Sequence, residues 1–311
     1  MFLRRFSDFV LQNRVQGMAT AFIIAFIPVI GSISVLIAAL TTLRKGATEG
    51  ALILVAATLP YVIGYYTSSA DQTVLAAGML GIAIVSNIFT WIFANILRQY
   101  NNWSFTLELA AGLGIVLIGA VHLLYPDIQD WWATQLSNYF VKAAESVGNT
   151  PPIEPTTTSD VQIRAQAINV AKHFATGFIV VSVLFNAILQ LLIARWWQAV
   201  IFNPGGLRKE LYRIRLGHIA GLVFVIGFIL AYLGIDFAMD AMPVVYAVFF
   251  AAGLSLVHSL VSLTKVGWLW LVLIYMGIIW LFPVSLVIIA FIALADTGFD
   301  FRKRFLLLRG E

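Results

Sequence analysis

The sequence predicts an all-α, polytopic transmembrane helical bundle, and three observations support this fold class. Hydrophobic residues make up 61% of the 311 residues and charged residues only 11%, with a mean hydropathy of +0.92. Soluble domains are roughly 45–50% apolar and 25% charged, so the composition excludes a soluble enzyme, a disordered chain and a DNA-binding domain. About eight apolar runs approach or exceed the roughly 20 residues that one helical span needs. Backbone groups in lipid must be paired internally, so we expect these runs to be helices.

The apolar runs divide the chain into two membrane regions around a polar insert. Residues 1–125 are predicted to form the N-terminal transmembrane helices, and residues 126–173 an extracytoplasmic insert. Residues 174–311 form the C-terminal transmembrane helices, which include a basic cytoplasmic loop at 203–216. The runs cover residues 17–43, 50–67, 74–97, 105–125, 174–202, 219–235, 241–263 and 267–294.

The first and last runs are predicted to be broken, because each contains a proline, Pro28 and Pro283. Proline removes an intrahelical hydrogen bond and kinks or ends a helix. Cations flank both ends of each run, and cations favour the cytoplasmic side. If each run is a hairpin of two half-helices, both termini are cytoplasmic and every Lys and Arg except Lys142, Arg164 and Lys172 lies inside. The alternative is a single kinked helix that leaves one terminus outside.

The insert contains a predicted amphipathic helix and a predicted loop. Apolar residues recur at spacings of three and four over residues 126–147, and Trp131, Trp132 and Tyr139 suit a membrane interface. This helix either covers an external cavity as a lid or lies flat on the membrane. Residues 148–160 are rich in proline and threonine, which is typical of a flexible loop.

Polar side chains within the apolar runs are the candidates for a ligand site. Amides and hydroxyls in a span must face protein or water, and an intramembrane histidine is a functional candidate. The same side chains also join helices through hydrogen bonds, so packing is the open alternative for each. The predicted substrate-binding residues are Asn87, Ser182, Asn186, Gln190, Ser255 and His258.

No catalytic, metal or cofactor site is predicted, and the protein is predicted not to be an enzyme. The chain has no cysteine, which excludes disulfides and thiolate sites, and it lacks the HExxH, Walker A, GxSxG and dinucleotide-binding motifs. Asp296 and Asp300 are a close carboxylate pair, but Arg302 and Arg304 follow at once. This order favours ion pairing or helix termination over acid–base chemistry on a lipid. Nucleic acid is not expected as a partner.

Two sets of residues are predicted to contact lipid or protein partners. Ala21 and Ala25 are small residues four apart, a spacing that lets helices approach closely. The second set is the group of cations in the basic loop, which either bind anionic headgroups or a soluble partner or only fix the topology. These cations are Arg208, Lys209, Arg213 and Arg215.

Two stretches, ARWWQAVIFNPGGLR at 194–208 and DTGFDFRKR at 296–304, resemble the YybS-like family of bacterial inner-membrane proteins. The resemblance covers nearly the whole chain and implies a bacterial inner (cytoplasmic) membrane location. That family is distantly similar to the S components of energy-coupling factor vitamin transporters and to the rod-shape protein MreD. S components bind a vitamin or metal in a helical bundle. They dock on a coupling protein through an Ala-xxx-Ala patch, whose spacing Ala21 and Ala25 match.

Two functions follow from the residues and the resemblance. The first is a small-molecule transporter or an S-component-like substrate-binding subunit, with an ATPase and coupling protein as partners. It predicts a cavity that opens outward under the insert helix. The second is a non-transporting scaffold similar to MreD, which holds a cytoplasmic or cell-envelope partner through its basic loop. It predicts a filled interior.

Overall fold

The computed structural model describes residues 2–27, 30–67, 74–146, 158–262 and 267–309. Within these ranges the regular secondary structure is entirely α-helical, which confirms the predicted class. The helices are α1 (Phe2–Gln12), α2 (Arg14–Ala25), α3 (Ser32–Lys45), α4 (Ala47–Thr67), α5 (Val74–Tyr100), α6 (Trp103–Leu124), α7 (Ile128–Ser146), α8 (Thr158–Lys172), α9 (Ala175–Phe202), α10 (Gly206–Leu211), α11 (His218–Tyr232), α12 (Asp236–Val261), α13 (Gly267–Trp280), α14 (Val284–Phe299) and α15 (Phe301–Arg309).

Five of the described helices are long and apolar enough to cross a membrane, namely α4, α5, α6, α9 and α12. Helices α11, α13 and α14 are apolar but shorter. The core of the bundle lies between α5, α6, α9 and α12, where Phe93, Ile118, Leu191 and Val244 are fully buried. The multi-pass membrane architecture is therefore established, while the count of eight membrane segments stays a prediction.

The first apolar run folds as a helical hairpin, as the charge distribution predicts. Gly17, early in α2, packs against Ile53 in the first half of α4, whereas Gly31, just before α3, packs against Tyr61 further along α4. Helix α2 therefore runs parallel to α4, and α3 returns antiparallel to it. Pro28, to which the break is attributed, lies outside the described residues.

The last apolar run is also two helices, α13 and α14, with Pro283 at the start of the second. At the turn, Ser285 Oγ donates a hydrogen bond to the Ile278 carbonyl (2.9 Å). At 1.5 Å per residue, helices of 14 and 16 residues extend only about 21 and 24 Å, less than the ~30 Å hydrocarbon core. The break at Pro283 is thus confirmed, and neither half is long enough to span alone.

We call the end of the bundle where α3 and α9 end and α10 begins the basic end. There the Arg44 guanidinium lies 3.8 Å from the centre of the Phe202 ring. Both terminal helices reach this end. Trp197 Nε1 in α9 donates to Ser7 Oγ of α1 (2.8 Å), and Arg302 of α15 bonds to a carbonyl of the 203–216 loop. The first and last helices therefore share one end of the bundle, as the two-hairpin prediction requires.

The opposite end, the insert end, carries α7 and α8. Helix α7 confirms the predicted amphipathic helix. Helix α8 was not predicted, because residues 158–172 contain too few apolar side chains to show a helical stripe. It packs against α7, where Arg164 donates to the Ser137 carbonyl (3.1 Å) and lies 5.1 Å from the Phe140 ring centre. Of the predicted loop, residues 148–157 lie outside the described residues and residues 158–160 belong to α8.

Helices α9 and α12 meet closely at Gly177. A Cβ atom there would lie 1.9 Å from the Asp240 carbonyl oxygen, which belongs to the backbone and cannot rotate away. We predict that Gly177→Ala forces the two helices apart and lowers the free energy of unfolding by about 1–3 kcal/mol.

Unfolding of the purified protein in mixed detergent micelles measures this change. Gly112→Ala in α6 is the matched control, because a Cβ at Gly112 meets nothing within 4 Å. Equal stability of the two variants would contradict the close packing at Gly177.

Candidate functional site

Two of the predicted substrate-binding residues, Asn186 and Gln190 of α9, bond to polar side chains of α5. Asn186 Nδ2 donates to Ser86 Oγ (2.8 Å), and Thr90 Oγ1 donates to Gln190 Oε1 (2.7 Å). Gln190 Nε2 also donates to Asn186 Oδ1 (3.3 Å). Ser86, Thr90 and Gln190 are buried, whereas Asn186 remains exposed. The network joins the two helices and leaves one amide accessible.

Asn87 and Ser182 lie outside this network. Asn87 is buried and turns toward α4, where its Nδ2 lies 3.5 Å from Thr58 Oγ1. Ser182 is exposed and donates to the Phe178 carbonyl of its own helix (2.9 Å). Ser182, Asn186 and Gln190 are four residues apart in the sequence, but they do not act as one polar face.

Ser255 and His258 lie near the basic end, on the last turns of α12. Ser255 Oγ donates to the Leu211 carbonyl (2.6 Å) and so ties α12 to the basic loop. His258 Nδ1 bonds to the Leu254 carbonyl (2.9 Å), and its ring lies 5.9 Å from that of Tyr275. The six predicted substrate-binding residues therefore do not form one site.

An apolar cavity of about 280 Å³ lies under α7, between α5, α6 and α9, and it is open beside the exposed Gly78 and Ile82 of α5. From α9, Thr176, Ile179, Val180 and Val183 line it at helical spacings of three and four, and Asn186 follows three residues later on the same face. The polar network therefore begins at the inner limit of the cavity. The remaining lining residues are Gly78, Gly81, Ile82, Val85, Leu117, Val121, Ile128 and Trp132.

Trp132 of α7 separates this cavity from a second apolar space. The second space is a groove of about 830 Å³ between α7, α8 and the start of α9, and Trp132 and Ile179 line both spaces. The indole is held in place because Trp132 Nε1 donates to Thr176 Oγ1 (2.9 Å).

A buried His–Asp contact at the insert end was not predicted. His122 Nε2 lies 2.9 Å from Asp240 Oδ2, and the Gly177 N–H donates to Asp240 Oδ1 (3.0 Å). The Asp240 side chain is fully buried. The pair links α6, α9 and α12. Both residues lie near the ends of apolar runs, so in sequence they resemble ordinary interfacial residues.

The two carboxylates of the DTGFDFRKR stretch are engaged in ion pairs, as predicted, although only Asp296 pairs with a cation of the same stretch. Asp296 Oδ2 accepts from Arg302 (2.9 Å), and Asp300 Oδ2 accepts from Arg215 (2.8 Å). Asp300 ends α14 in a left-handed conformation (φ 46°), so the two carboxylates do not share a helical face. Burial lowers the pKa of the Arg302 guanidinium below its ordinary value, and the Asp296 carboxylate opposes this shift.

The four cations of the basic loop have different environments. Arg215 is bound to Asp300 and to the carbonyls of Asp296 and Thr297. Arg208, Lys209 and Arg213 are exposed on or beside α10. Arg215 therefore anchors the loop to α14, and the other three cations remain available to lipid or protein.

Ala21 and Ala25, the predicted docking patch, are buried inside the chain, with 0% and 8% exposure. They continue the face of α2 on which Gly17 packs against Ile53 of α4. Small residues here allow close packing within the N-terminal hairpin. If Ala21 and Ala25 docked on a partner protein, α2 would first have to separate from the helices that cover them. The docking role therefore stays a prediction.

Comparison of the chain with protein-family models, curated proteins and solved structures finds no match. The resemblance to the YybS-like family therefore stays a prediction based on residues 194–208 and 296–304. In the structure both stretches contribute ion pairs at the basic end: Arg195 of the first pairs with Glu210 (2.6 Å), and Asp296 of the second pairs with Arg302.

Proposed function

We propose that this protein is a substrate-binding membrane subunit of a small-molecule transport system, and that the cavity under α7 is its binding site. The observation that carries the proposal is the cavity itself, about 280 Å³ in volume and lined by four helices. This volume is close to the lower limit of typical ligand pockets, about 300 Å³. The site is built between membrane helices, where ligand sites of helical bundles commonly lie.

The lining defines the class of ligand. Glycines and branched apolar side chains make up most of the cavity lining. The body of the ligand is therefore apolar, and free ions and sugars are excluded as ligands. The exposed Asn186 amide lies just beyond Val183, at the inner limit of the cavity. It supplies a hydrogen-bonding partner for one polar group. The ligand is thus a small amphiphile with an apolar body and a single polar end.

Helix α7 acts as the lid in this proposal. Ligand enters from the groove between α7 and α8, and the Trp132 side chain controls passage into the cavity. The hydrogen bond from Trp132 to Thr176 (2.9 Å) holds the closed position. This arrangement favours the first of the two functions suggested by the sequence, with Trp132 as the closing residue.

The orientation and the partners complete the proposal. Cations favour the cytoplasmic side, so the basic end faces the cytoplasm of a bacterial inner membrane and the lid faces outward. The apolar runs then form eight membrane segments, of which the first and last are hairpins. An ATPase and a coupling protein supply the energy for release of the ligand.

Filling the cavity tests the binding site. Gly81 lines the cavity, and a Cβ at this position meets nothing within 4 Å. We predict that Gly81→Leu occupies the space and reduces the amount of small molecule that co-purifies with the protein at least tenfold. The measurement is mass spectrometry of an organic extract of the protein purified from native membranes.

Gly64→Leu is the control, because Gly64 is also an open glycine, on α4 and away from the cavity lining. The control variant is expected to co-purify with the same amount of small molecule as the wild type. Equal content in the Gly81 and Gly64 variants would contradict the assignment of the site.

The scaffold is the second candidate, and the exposed cations of α10 favour it. The Arg215–Asp300 ion pair and the hydrogen bond from Arg302 to the Ile214 carbonyl hold the loop in a fixed position, which a docking surface for a partner also requires. A scaffold needs no ligand. Wild-type protein that carries no stoichiometric small molecule would therefore favour the scaffold over the binding subunit.

A further inference from the structure

A polar cleft of about 660 Å³ lies at the basic end, between the α5–α6 junction and the 203–216 loop. Asparagine side chains from both segments contribute to its lining, together with two exposed cations, Lys209 and Arg213. The other lining residues are Tyr100, Asn101, Asn102, Trp103, Ser104, Asn203, Pro204, Gly206, Glu210, Ile214 and Arg215.

The cleft carries a positive surplus, because internal ion pairs account for its other charges. Glu210 is neutralised by Arg195 (2.6 Å) and also accepts from Trp103 Nε1 (3.2 Å). Arg215 is neutralised by Asp300 (2.8 Å). Lys209 and Arg213 have no ion-pair partner among the residues that the structure describes. An anion with several acceptor oxygens would satisfy both cations and the nearby amides.

The walls of the cleft are held rigidly. Arg195 also donates to Asn101 Oδ1 (3.1 Å), which fixes the α5–α6 junction to α9. Ser104 Oγ accepts from the backbone N–H of Arg215 (2.9 Å), which fixes the loop to α6. A site that is already in place loses less conformational entropy when it binds a ligand.

The surroundings indicate that the anion belongs to a lipid. Tyr100 and Phe105, whose ring centres are 5.0 Å apart, are exposed beside the cleft, with 59% and 39% exposure. Exposed aromatic side chains at the end of a membrane bundle are typical of the headgroup level. A molecule whose phosphate occupies the cleft would place its acyl chains beside these two rings.

We propose that the cleft binds the phosphate group of an anionic phospholipid, and that Lys209 and Arg213 contact the phosphate. Arg208 and Arg215 have other roles: Arg208 bonds to the Tyr212 hydroxyl (2.8 Å), and Arg215 anchors the loop. The proposal is independent of the cavity under α7, which lies at the other end of the bundle.

Native mass spectrometry of the full chain with added phosphatidylglycerol or phosphatidylcholine tests the proposal. Wild-type protein is expected to retain one phosphatidylglycerol in preference to phosphatidylcholine. Lys209→Gln and Arg213→Gln are each expected to weaken this retention roughly fivefold, because one cation near an anionic surface contributes about 1 kcal/mol. The double variant is expected to retain phosphatidylglycerol roughly 25-fold more weakly than the wild type.

Arg208→Gln is the matched control, since it removes the same charge from the same loop outside the cleft. It is expected to retain phosphatidylglycerol as the wild type does, and all variants should have wild-type melting temperatures. Equal weakening by Arg208→Gln, or equal retention of phosphatidylcholine, would overturn the proposed site. Retention of inorganic phosphate by a protein that retains no phosphatidylglycerol would overturn the assignment to a lipid and indicate a free anion.

Discussion

Asp296→Ala is expected to lower the free energy of unfolding by about 3–5 kcal/mol, because it removes one member of a buried ion pair and leaves the other uncompensated. The carboxylate is buried, accepts from Arg302 Nη1 (2.9 Å) and lies within 4.0 Å of Arg215 Nε. It also accepts from the backbone N–H of Phe301 (2.8 Å). Without it, two guanidinium groups remain close together at the basic end.

The change is measured by unfolding the purified variant in mixed detergent micelles. Asp8→Ala is the control, because Asp8 is exposed on α1, and an exposed carboxylate is expected to change stability by less than about 0.5 kcal/mol. If both variants unfold at the same detergent fraction, the ion pairs of the basic end do not stabilise the fold as described.

His122→Leu is expected to lower the free energy of unfolding by about 3 kcal/mol. The substitution leaves the fully buried Asp240 carboxylate with one described partner, the Gly177 N–H at 3.0 Å. A buried carboxylate that loses a hydrogen-bond partner is costly, because less of its desolvation is then offset. The three helices that meet at Asp240 would separate more readily.

A double-mutant cycle isolates this interaction. Asp240→Asn leaves no carboxylate at this position. In that background, His122→Leu is expected to lower the free energy of unfolding by at least 1 kcal/mol less than it does in the wild type. His218→Leu is the control, because His218 is exposed at the start of α11. Additive effects of the two substitutions would mean that His122 and Asp240 do not interact across the bundle.

The sequence predicts the helices well where apolar runs are long, because burial in lipid leaves no alternative to internal backbone pairing. The cations that flank residues 17–43 and the proline within that run together predicted its hairpin, since Arg14 and Lys45 could otherwise not lie at one end. Helix α8 was not predicted because it has no apolar stripe. Its position depends on packing against α7, which no local pattern encodes.

The candidate site was predicted only in part, because hydrogen bonds and cavities depend on distant residues. Helical spacing identified Asn186 and Gln190, but their partners, Ser86 and Thr90, are about a hundred positions away. The cavity is a gap between α5, α6 and α9, and no residue pattern in the sequence predicts where packed helices leave a gap. Trp132 stood out only as an interfacial aromatic.

An experimental density map of the wild-type protein in lipid nanodiscs, obtained by cryo-electron microscopy with a bound Fab, tests the central claim most directly. We expect non-protein density between Gly81, Leu117 and Val183, with the Trp132 indole beside it and the Thr176 hydrogen bond in place. A map in which α5, α6 and α9 close on one another and leave no space under α7 would contradict the account.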